Sequence, residues 1–136
     1  MMKSIVVYWS MSGNTESIAE RIGADVSAQV KKVGDTSVDE VLQFDTIILG
    51  CPAMGAEELE DSEFRPFYEE LIGSVGDKRI FLFGSYGWGD GEWMRLWQEE
   101  TVNAGANLIA DGLIVNGDIS AVDELSLIHI SDPTRP

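Results

Sequence analysis

Basic residues, histidine and cysteine are scarce in this chain of 136 residues. Its 9 lysines and arginines are outnumbered by 24 aspartates and glutamates, so the formal net charge is −15. Nucleic acid and anionic membranes attract cationic surfaces and repel a surface of this sign. The composition therefore argues against a nucleic-acid partner. It leaves two interpretations of the acidity open, attraction to a basic partner and solubility alone.

Long apolar runs are also missing, and the single cysteine, Cys51, cannot form an intrachain disulfide. A membrane-spanning helix needs about 20 consecutive apolar residues. Strand-like sequence begins directly after Lys3, so we expect no secretory leader. These absences predict one compact cytoplasmic domain without a membrane span. We interpret Cys51 as a small residue at a buried strand end and not as a redox thiol.

A polar segment follows the first apolar run, residues 5–9, and leads into a helical pattern with apolar residues at Ile18, Ala19 and Ile22. A strand that turns through a short loop into a helix points backbone N–H groups and the positive end of the helix dipole at one place. The segment adds hydroxyl and amide groups, and a glycine that permits a tight turn. Its residues are Ser10, Met11, Ser12, Gly13, Asn14 and Thr15. This pattern predicts a cradle for a phosphate.

The same segment contains no lysine or arginine. ATP- and GTP-binding loops need a Gly-Lys-Ser/Thr sequence whose lysine reaches the outer phosphates. Dinucleotide-binding folds need three spaced glycines after the first strand. The segment has neither pattern, so a single terminal phosphate is the expected ligand. The alternative is an ordinary polar turn in which Asn14 caps the helix.

Strand and helix patterns alternate along the rest of the chain. After the first strand we predict a polar edge strand, an apolar central strand, a fourth strand and a fifth strand interrupted at Asp111 and Gly112; they cover residues 29–33, 46–49, 79–83 and 108–115. This alternation predicts right-handed crossovers and a doubly wound α/β fold with helices on both faces of a five-stranded parallel sheet. Ligands of such folds bind beyond the carboxyl ends of the strands. The loops expected there suit a flat aromatic ring with a phosphate tail; they are residues 10–15, 51–61 and 84–91.

Three predicted helices have recognisable ends or faces. Thr36 or Ser37 can cap a short helix, and Ser62 can cap a longer one. The buried side of the longer helix is predicted to consist of Phe64, Phe67, Tyr68, Leu71 and Ile72. A later amphipathic helix is predicted to bury Trp93, Leu96, Trp97 and Thr101, which recur at helical spacing. We therefore interpret the tryptophans of this helix as core residues and not as cofactor contacts.

Three segments, in order and at appropriate separations, resemble short-chain flavodoxins. They are residues 10–15 with the sequence SMSGNT, residues 51–62 with CPAMGAEELEDS and residues 84–91 with GSYGWGDG. The resemblance runs from about residue 4 to about residue 125. It implies a flavodoxin-like fold with strand order 2-1-3-4-5. It also implies noncovalently bound FMN and a low-potential one-electron carrier that shuttles electrons between redox proteins.

The resemblance assigns residues to the FMN site as well. It implies that residues 10–15 hold the phosphate and that Met54 and Trp88 lie against opposite faces of the isoalloxazine ring. Glu57 is implied to bind flavin N3–H. The peptide between Gly55 and Ala56 resembles one that turns its carbonyl toward flavin N5 on one-electron reduction. The remaining implied contacts are Ser85, Tyr86, Gly87, Gly89 and Asp90. No catalytic or metal-binding residue is implied.

Two other functions are compatible with an α/β fold of this size. A flavin-dependent NAD(P)H:quinone reductase shares the fold but uses extra loops and a dimer, for which 136 residues leave little room. A signalling receiver domain needs aspartates at the ends of its first and third strands, where this chain has Trp9-Ser10 and Gly50-Cys51. We therefore expect a monomeric electron carrier that docks transiently on basic surfaces of redox proteins. The reductase is kept as the alternative.

The end of the chain departs from the resemblance. Family members carry a full closing helix, whereas residues 126–136, SLIHISDPTRP, contain two prolines that prevent a continuing helix. We therefore divide the chain into an FMN-binding domain, residues 1–125, with a truncated last helix, and a disordered or non-native tail that resembles translated vector sequence. His129 in this tail is interpreted as accidental and not as a ligand.

Overall fold

A computed structural model describes residues 3–9, 14–52, 62–76, 78–86, 92–109 and 112–116. The described strands are β1 (Ser4–Tyr8), β2 (Gln29–Lys32), β3 (Thr46–Gly50), β4 (Arg79–Tyr86), β5 (Asn107–Leu108) and β6 (Leu113–Asn116). The described helices are α1 (Asn14–Val26), α2 (Val38–Val41), α3 (Phe64–Ile72) and α4 (Glu92–Asn103), and a short 3-10 turn covers Val33–Asp35. Strands and helices alternate as the sequence predicts. The predicted tail, residues 126–136, lies outside the described residues.

The described strands form one parallel sheet in the order β2-β1-β3-β4-β5, and β6 also pairs with β4. The first two residues of β4 pair with β5, and its last four pair with β6. These two short strands together correspond to the predicted fifth strand, interrupted before Gly112. The predicted strand order 2-1-3-4-5 is therefore confirmed, and so is the polar edge strand at β2.

Side chains of the central strands alternate between two buried layers, because successive residues of a strand point to opposite faces. In β1, Ile5 and Val7 belong to the layer that contains residues of α3 and α4, whereas Val6 and Tyr8 belong to the layer that contains residues of α1. All five residues of β3 are buried. Helices therefore cover both faces of the sheet, as predicted, and β3 is the central strand.

The fourth strand is longer than the sequence pattern indicated. The prediction ended it at Phe83 and began a loop at Gly84, but β4 continues to Tyr86. The extra residues pair with β6; Gly84 lies opposite Ile114, and Ser85 lies opposite Val115. The prediction makes Gly84 the first residue of this loop, whereas in the structure it lets the strand pass close to the backbone of Cys51. The predicted loop 84–91 is therefore wrong for residues 84–86.

Helix α4 buries most of the predicted face, but not all of it. Trp93, Trp97 and Thr101 are buried, as predicted, whereas Leu96 is 54% exposed. At 100° per residue, the first three lie within about 80° of one another around the helix, and Leu96 lies about 60° outside that arc. Met94 lies on the other side of the arc and is buried instead. The prediction for Leu96 is therefore wrong.

The helix caps follow the prediction in one case and differ in the other. Ser37 is the N-cap of α2, and its side chain accepts a hydrogen bond from the backbone N–H of Glu40. The N-cap of α3 is Glu63 and not Ser62. The predicted buried side of α3 is confirmed at four positions, and Phe67 is half-buried.

Candidate functional site

The site lies where the order of the strands reverses. The chain passes from β1 to β2 on one side and then to β3 on the other side of β1. Beyond the last paired residues, the backbone N–H of Trp9 donates to the carbonyl oxygen of Gly50 at 3.0 Å, and that of Cys51 donates to the carbonyl oxygen of Phe83 at 3.2 Å. The carboxyl ends of β1, β3 and β4 therefore lie side by side. A crevice at such a reversal is the usual ligand site of doubly wound sheets.

The structure describes some of the residues at the ends of the predicted site loops. Asn14 and Thr15 begin α1, and the side chain of Thr15 is buried. Ser85 and Tyr86 end β4, and only their backbone is described. The structure thus brings the start of α1 and the end of β4 to the same edge of the sheet. The other predicted site residues lie outside the described residues; they are Ser10, Met11, Ser12, Gly13, Met54, Gly55, Ala56, Glu57, Gly87, Trp88, Gly89 and Asp90.

Asn14 occupies the first position inside α1 and not the N-cap that the alternative interpretation gave it. The first backbone N–H groups of a helix have no partner within the helix. Because α1 begins one short connection after β1, these groups lie at the carboxyl edge of the sheet. The positive end of the helix dipole therefore lies at this edge and favours an anion there.

A hydrogen bond joins the two ends of the first predicted loop. The hydroxyl of Tyr8, the last residue of β1, donates to Oε2 of Glu16 in the first turn of α1 at 2.8 Å. Burial, more than any other cause, raises the pKa of Tyr8 to about 12, and the hydrogen bond and charge of Glu16 add to it. The phenol therefore stays protonated and remains a donor at neutral pH.

A second hydrogen bond joins the first loop to the second. Nε1 of Trp9, which precedes residues 10–13, donates to Oε1 of Glu63 at 3.3 Å. Glu63 comes two residues after the segment 53–61 and is the N-cap of α3. The bond therefore holds the start of one predicted site loop near the end of the next.

A third hydrogen bond joins the second loop to the last one. Nε1 of Trp93, near the start of α4, donates to the carbonyl oxygen of Cys51 at 3.3 Å. Gly84 lies against the same carbonyl, and a Cβ atom at this position would be 2.2 Å from it. Cys51 is fully buried, which confirms its interpretation as a small residue at a strand end. Trp93 and Trp97 are buried as well, so the prediction that they are core residues is also confirmed.

Sequence reasoning missed these three hydrogen bonds. It treated Tyr8 and Trp9 as members of an apolar run, although a buried tyrosine hydroxyl or indole N–H usually needs a partner. A buried Tyr8 hydroxyl therefore needs an acceptor nearby. Glu16 could have been predicted as that acceptor, because it lies in the first turn of the helix that follows β1. No such signal links Trp9 to Glu63 or Trp93 to Cys51, which are far apart in sequence.

The described residues fit a flavin with a phosphate tail. The positive end of the α1 dipole lies at this edge, and residues 10–15 contain no lysine or arginine, which suits one phosphate better than a triphosphate. The two buried tryptophans of α4 pack in the core and present no ring face to a ligand. Among the residues that the structure describes, no group of three or more His, Cys, Asp or Glu side chains could bind a metal ion. No helix in these ranges has the length and hydropathy of a membrane span.

Comparisons with known proteins identify the family. The flavodoxin family model matches residues 6–127. The chain is 47% identical to a flavodoxin of Megasphaera elsdenii over 114 residues, which cover 80% of this chain and 83% of the relative. It is 46% identical to a flavodoxin of Clostridium beijerinckii over 118 residues, which cover 83% of this chain and 86% of the relative.

The fold agrees with a solved structure of the same family. The solution structure of two-electron reduced Megasphaera elsdenii flavodoxin superposes with a TM-score of 0.86 at 43% sequence identity and covers 94% of this chain and 96% of that one. The chain therefore belongs to the flavodoxin family, and it is an FMN-binding electron carrier rather than an enzyme.

Proposed function

We propose that this flavodoxin is a low-potential one-electron carrier that acts as a monomer in the cytoplasm and binds FMN through residues 1–125. The observation that carries this proposal is the reversal of the strand order between β1 and β3, at the edge of the sheet where α1 begins. The last residues of the chain, 126–136, are proposed to contribute nothing to the site.

The phosphate of FMN is assigned to residues 10–15. The N-terminal amides of α1 and the hydroxyl groups of this segment supply its donors. Glycine at position 13 permits a close turn. Thr15 lies in the first turn of α1. Its side chain is buried, and among residues 10–15 it is the one side chain that the structure describes.

The isoalloxazine ring is assigned to the other two loops. When bound, FMN supplies a ring that accepts and releases electrons. Met54 and Trp88 would exclude water from its faces, and Glu57 would accept a hydrogen bond from N3–H. Glycine at position 55 would let the following peptide adopt either orientation. Further contacts are assigned to Ala56, Ser85, Tyr86, Gly87, Gly89 and Asp90. Apolar walls disfavour negative charge on the reduced ring and therefore lower its potential.

Acidic residues add a smaller effect to the potential. A single carboxylate about 10 Å from the ring contributes only about 0.4 kcal/mol in a water-like dielectric. For a one-electron couple, a tenfold change in the equilibrium constant is about 59 mV. Several surface acids therefore shift the potential by tens of millivolts. Larger shifts have to come from desolvation and from contacts at the ring.

Partners are proposed to be redox proteins with basic docking surfaces. A groove of about 450 Å³ between α2 and α3 is lined by three carboxylates, Asp39, Glu63 and Glu70, and by the apolar residues Val33, Val38, Pro66 and Phe67. Glu63 also contacts Trp9 at the carboxyl edge of the sheet. Negative charge thus lies next to the proposed flavin site, where it would orient a basic partner.

A reduction assay separates the carrier from the reductase alternative. The apoprotein is reconstituted with FMN, and the absorbance of the protein-bound flavin is followed. NADPH is added first alone, and then a catalytic amount of an NADPH-dependent flavoprotein reductase with a basic surface is added. We expect bleaching only after the second addition. Rapid bleaching by NADPH alone would overturn the carrier function in favour of the enzyme.

A tryptophan substitution tests the assignment of the ring. Trp88→Ala should weaken FMN binding roughly ten- to a hundredfold and reduce the quenching of flavin fluorescence, because one stacking partner is lost. The melting temperature of the apoprotein should change little. Trp97→Phe is the control, since it alters a core residue that packs on Phe64 and Tyr68 and should lower stability with the quenching retained. Wild-type affinity and quenching in Trp88→Ala would refute the assignment.

A further inference from the structure

We propose that the groove between α2 and α3 receives an arginine side chain from the docking surface of a redox partner. The inference deepens the proposed function and rests on it, because it takes the partner to be a redox protein with a basic surface. It gives the groove a ligand of stated chemistry, a guanidinium group on an apolar stem.

The apolar part of the groove is partly open to water. Phe67 of α3 and Val38 of α2 line it, and both are half-buried and pack against the same core cluster. Val33, which is buried, and Pro66, which is exposed, line it as well. A concave site with such a lining favours a ligand that has an apolar part.

Carboxylates lie on both sides of this apolar surface. On α3, Phe67 lies between Glu63 and Glu70 on one face, because residues three and four positions apart are neighbours on a helix. The backbone N–H of Phe67 donates to the carbonyl oxygen of Glu63 at 3.4 Å, which fits this geometry. Asp39 lines the groove from α2. A cation in the groove would therefore meet carboxylates from two helices.

The described lining residues supply no positive charge of their own. Two basic side chains of neighbouring elements pair with other carboxylates. Nζ of Lys31 lies 3.4 Å from Oε1 of Glu40, and Nη1 of Arg65 lies 2.8 Å from Oε1 of Glu100. Charge complementarity therefore points to a cation supplied by a partner.

Arginine suits this lining better than lysine. A guanidinium group is planar and weakly hydrated, so it can lie against an aromatic ring such as that of Phe67 while its N–H groups bind carboxylates. Its apolar stem can cover Val38 and Pro66. An ammonium group is more strongly hydrated and gains less from the ring.

The groove also adjoins the edge of the sheet where the flavin is proposed to bind. Glu63, which lines the groove, accepts a hydrogen bond from Nε1 of Trp9 at 3.3 Å. Trp9 directly follows β1 at the carboxyl edge. An arginine bound in the groove would therefore dock its own protein beside that edge.

The first test measures binding of the side chain alone, without electron transfer. The FMN-loaded protein, labelled with 15N, is titrated at low ionic strength with N-acetylarginine amide. N-acetyllysine amide is the matched probe of the same charge. We expect saturable shifts of the amide signals of Val38, Phe67 and Glu70, and about two- to fivefold tighter binding of the arginine probe. Phe67→Leu keeps an apolar side chain without the ring, so it should remove most of this preference.

The second test compares two double variants that change the net charge equally. Asp39→Asn/Glu70→Gln removes two carboxylates of the groove, whereas Glu20→Gln/Glu99→Gln removes two exposed carboxylates of α1 and α4. The first should weaken binding of the arginine probe about fivefold, and the second should change it less than about twofold. At equal ionic strength, the basic reductase should reduce the first variant about threefold more slowly than the second.

Three results would overturn the inference while the carrier function stands. They are shifts that do not saturate, equal binding of the two probes to the wild type, and equal rates of reduction of the two double variants. Rapid bleaching of the wild type by NADPH alone would overturn the proposed function, and the partner assigned to the groove with it.

Discussion

Gly84 leaves almost no space between the end of β4 and the carboxyl end of β3. A Cβ atom at this position would lie 2.2 Å from the carbonyl oxygen of Cys51 and 3.1 Å from the ring of Trp93. The first of these contacts is with backbone, so it cannot be relieved by a change of rotamer. We expect Gly84→Ala to lower the free energy of unfolding by about 1–3 kcal/mol.

The control for this substitution is Gly73→Ala. Gly73 follows α3 with φ −76° and ψ −8°, and a Cβ atom there would have no heavy atom within 4 Å. The control should therefore differ from the wild type by less than about 0.5 kcal/mol. Urea unfolding of both apoproteins measures the difference. Equal stabilities of the two variants would show that the contact at Cys51 is not a tight one.

Two buried tyrosines should make the stability fall in alkaline solution. Burial is the main cause that raises the pKa of Tyr8 and of Tyr68 to about 12, from an ordinary value of 10.0. Between these values the unfolded chain loses phenolic protons that the folded chain keeps. The unfolded state then binds fewer protons, so the free energy of unfolding falls as pH rises, by up to about 1.4 kcal/mol per pH unit for each tyrosine. The stabilisation is complete below pH 10.

Urea unfolding at several pH values between about 9 and about 12 measures this dependence. In Tyr68→Phe the free energy of unfolding should fall less steeply with pH than in the wild type, by up to about 1.4 kcal/mol per pH unit. The variant lacks one of the two phenols whose pKa is raised. Other groups that titrate in this range, such as lysines, are common to both proteins and cancel in the comparison. Identical slopes would contradict the raised pKa of Tyr68.

At the scale of the element, α4 shows what helical spacing can and cannot reveal. The indole of Trp97 packs edge-on against Phe64, with ring centroids 5.5 Å apart, and against Tyr68, with centroids 6.0 Å apart. Trp97→Ala should therefore cost about 3–5 kcal/mol of unfolding free energy. Leu96→Ala, one residue away on the exposed side, should change it by less than about 0.5 kcal/mol. Chemical unfolding of the two apoproteins tests the assignment of this face, and a large cost at Leu96 would contradict it.

Elements were easier to predict than their exact faces and ends. The central strands could be identified because they are short apolar runs between turn residues, whereas β2 was recognised as a polar edge strand. Leu96 was misplaced because an apolar residue at helical spacing can still lie at the edge of the buried arc. The end of β4 was misplaced because Gly84 signals a turn as readily as a close approach of two backbones.

The site itself was only partly visible in the sequence. A cradle that follows the first strand is a local pattern, so its placement at the start of α1 could be predicted. The hydrogen bonds of Trp9 with Glu63 and of Trp93 with Cys51 join residues 54 and 42 positions apart. Periodicity and spacing carry no information about such pairs, because the fold alone brings them together.

At the scale of the whole molecule, charge cannot be balanced within the chain. With 24 acidic and 9 basic residues, one-to-one pairing leaves at least 15 carboxylates without a basic partner. Ion pairs such as Arg21–Asp25, at 2.8 Å, are partly exposed and contribute little to stability. The excess charge repels itself more in the compact state than in the expanded one, so it opposes folding.

This excess predicts that salt will affect stability and electron transfer in opposite directions. When the ionic strength rises from about 0.01 M to about 0.1 M, the Debye length falls from roughly 30 Å to 10 Å. Screening then reduces the self-repulsion, so the free energy of unfolding of the apoprotein should rise. It also reduces the attraction between this surface and a basic redox partner, so the rate of electron transfer should fall several-fold.

Sodium chloride is the proper salt, because sulfate stabilises folded proteins by exclusion from their surface as well. Urea unfolding gives the first quantity, and stopped-flow reduction of the FMN-loaded protein by a basic reductase gives the second. A rate that does not depend on salt would contradict docking on basic surfaces, whereas a stability that falls with salt would show that the acidic surface is balanced by interactions that screening removes.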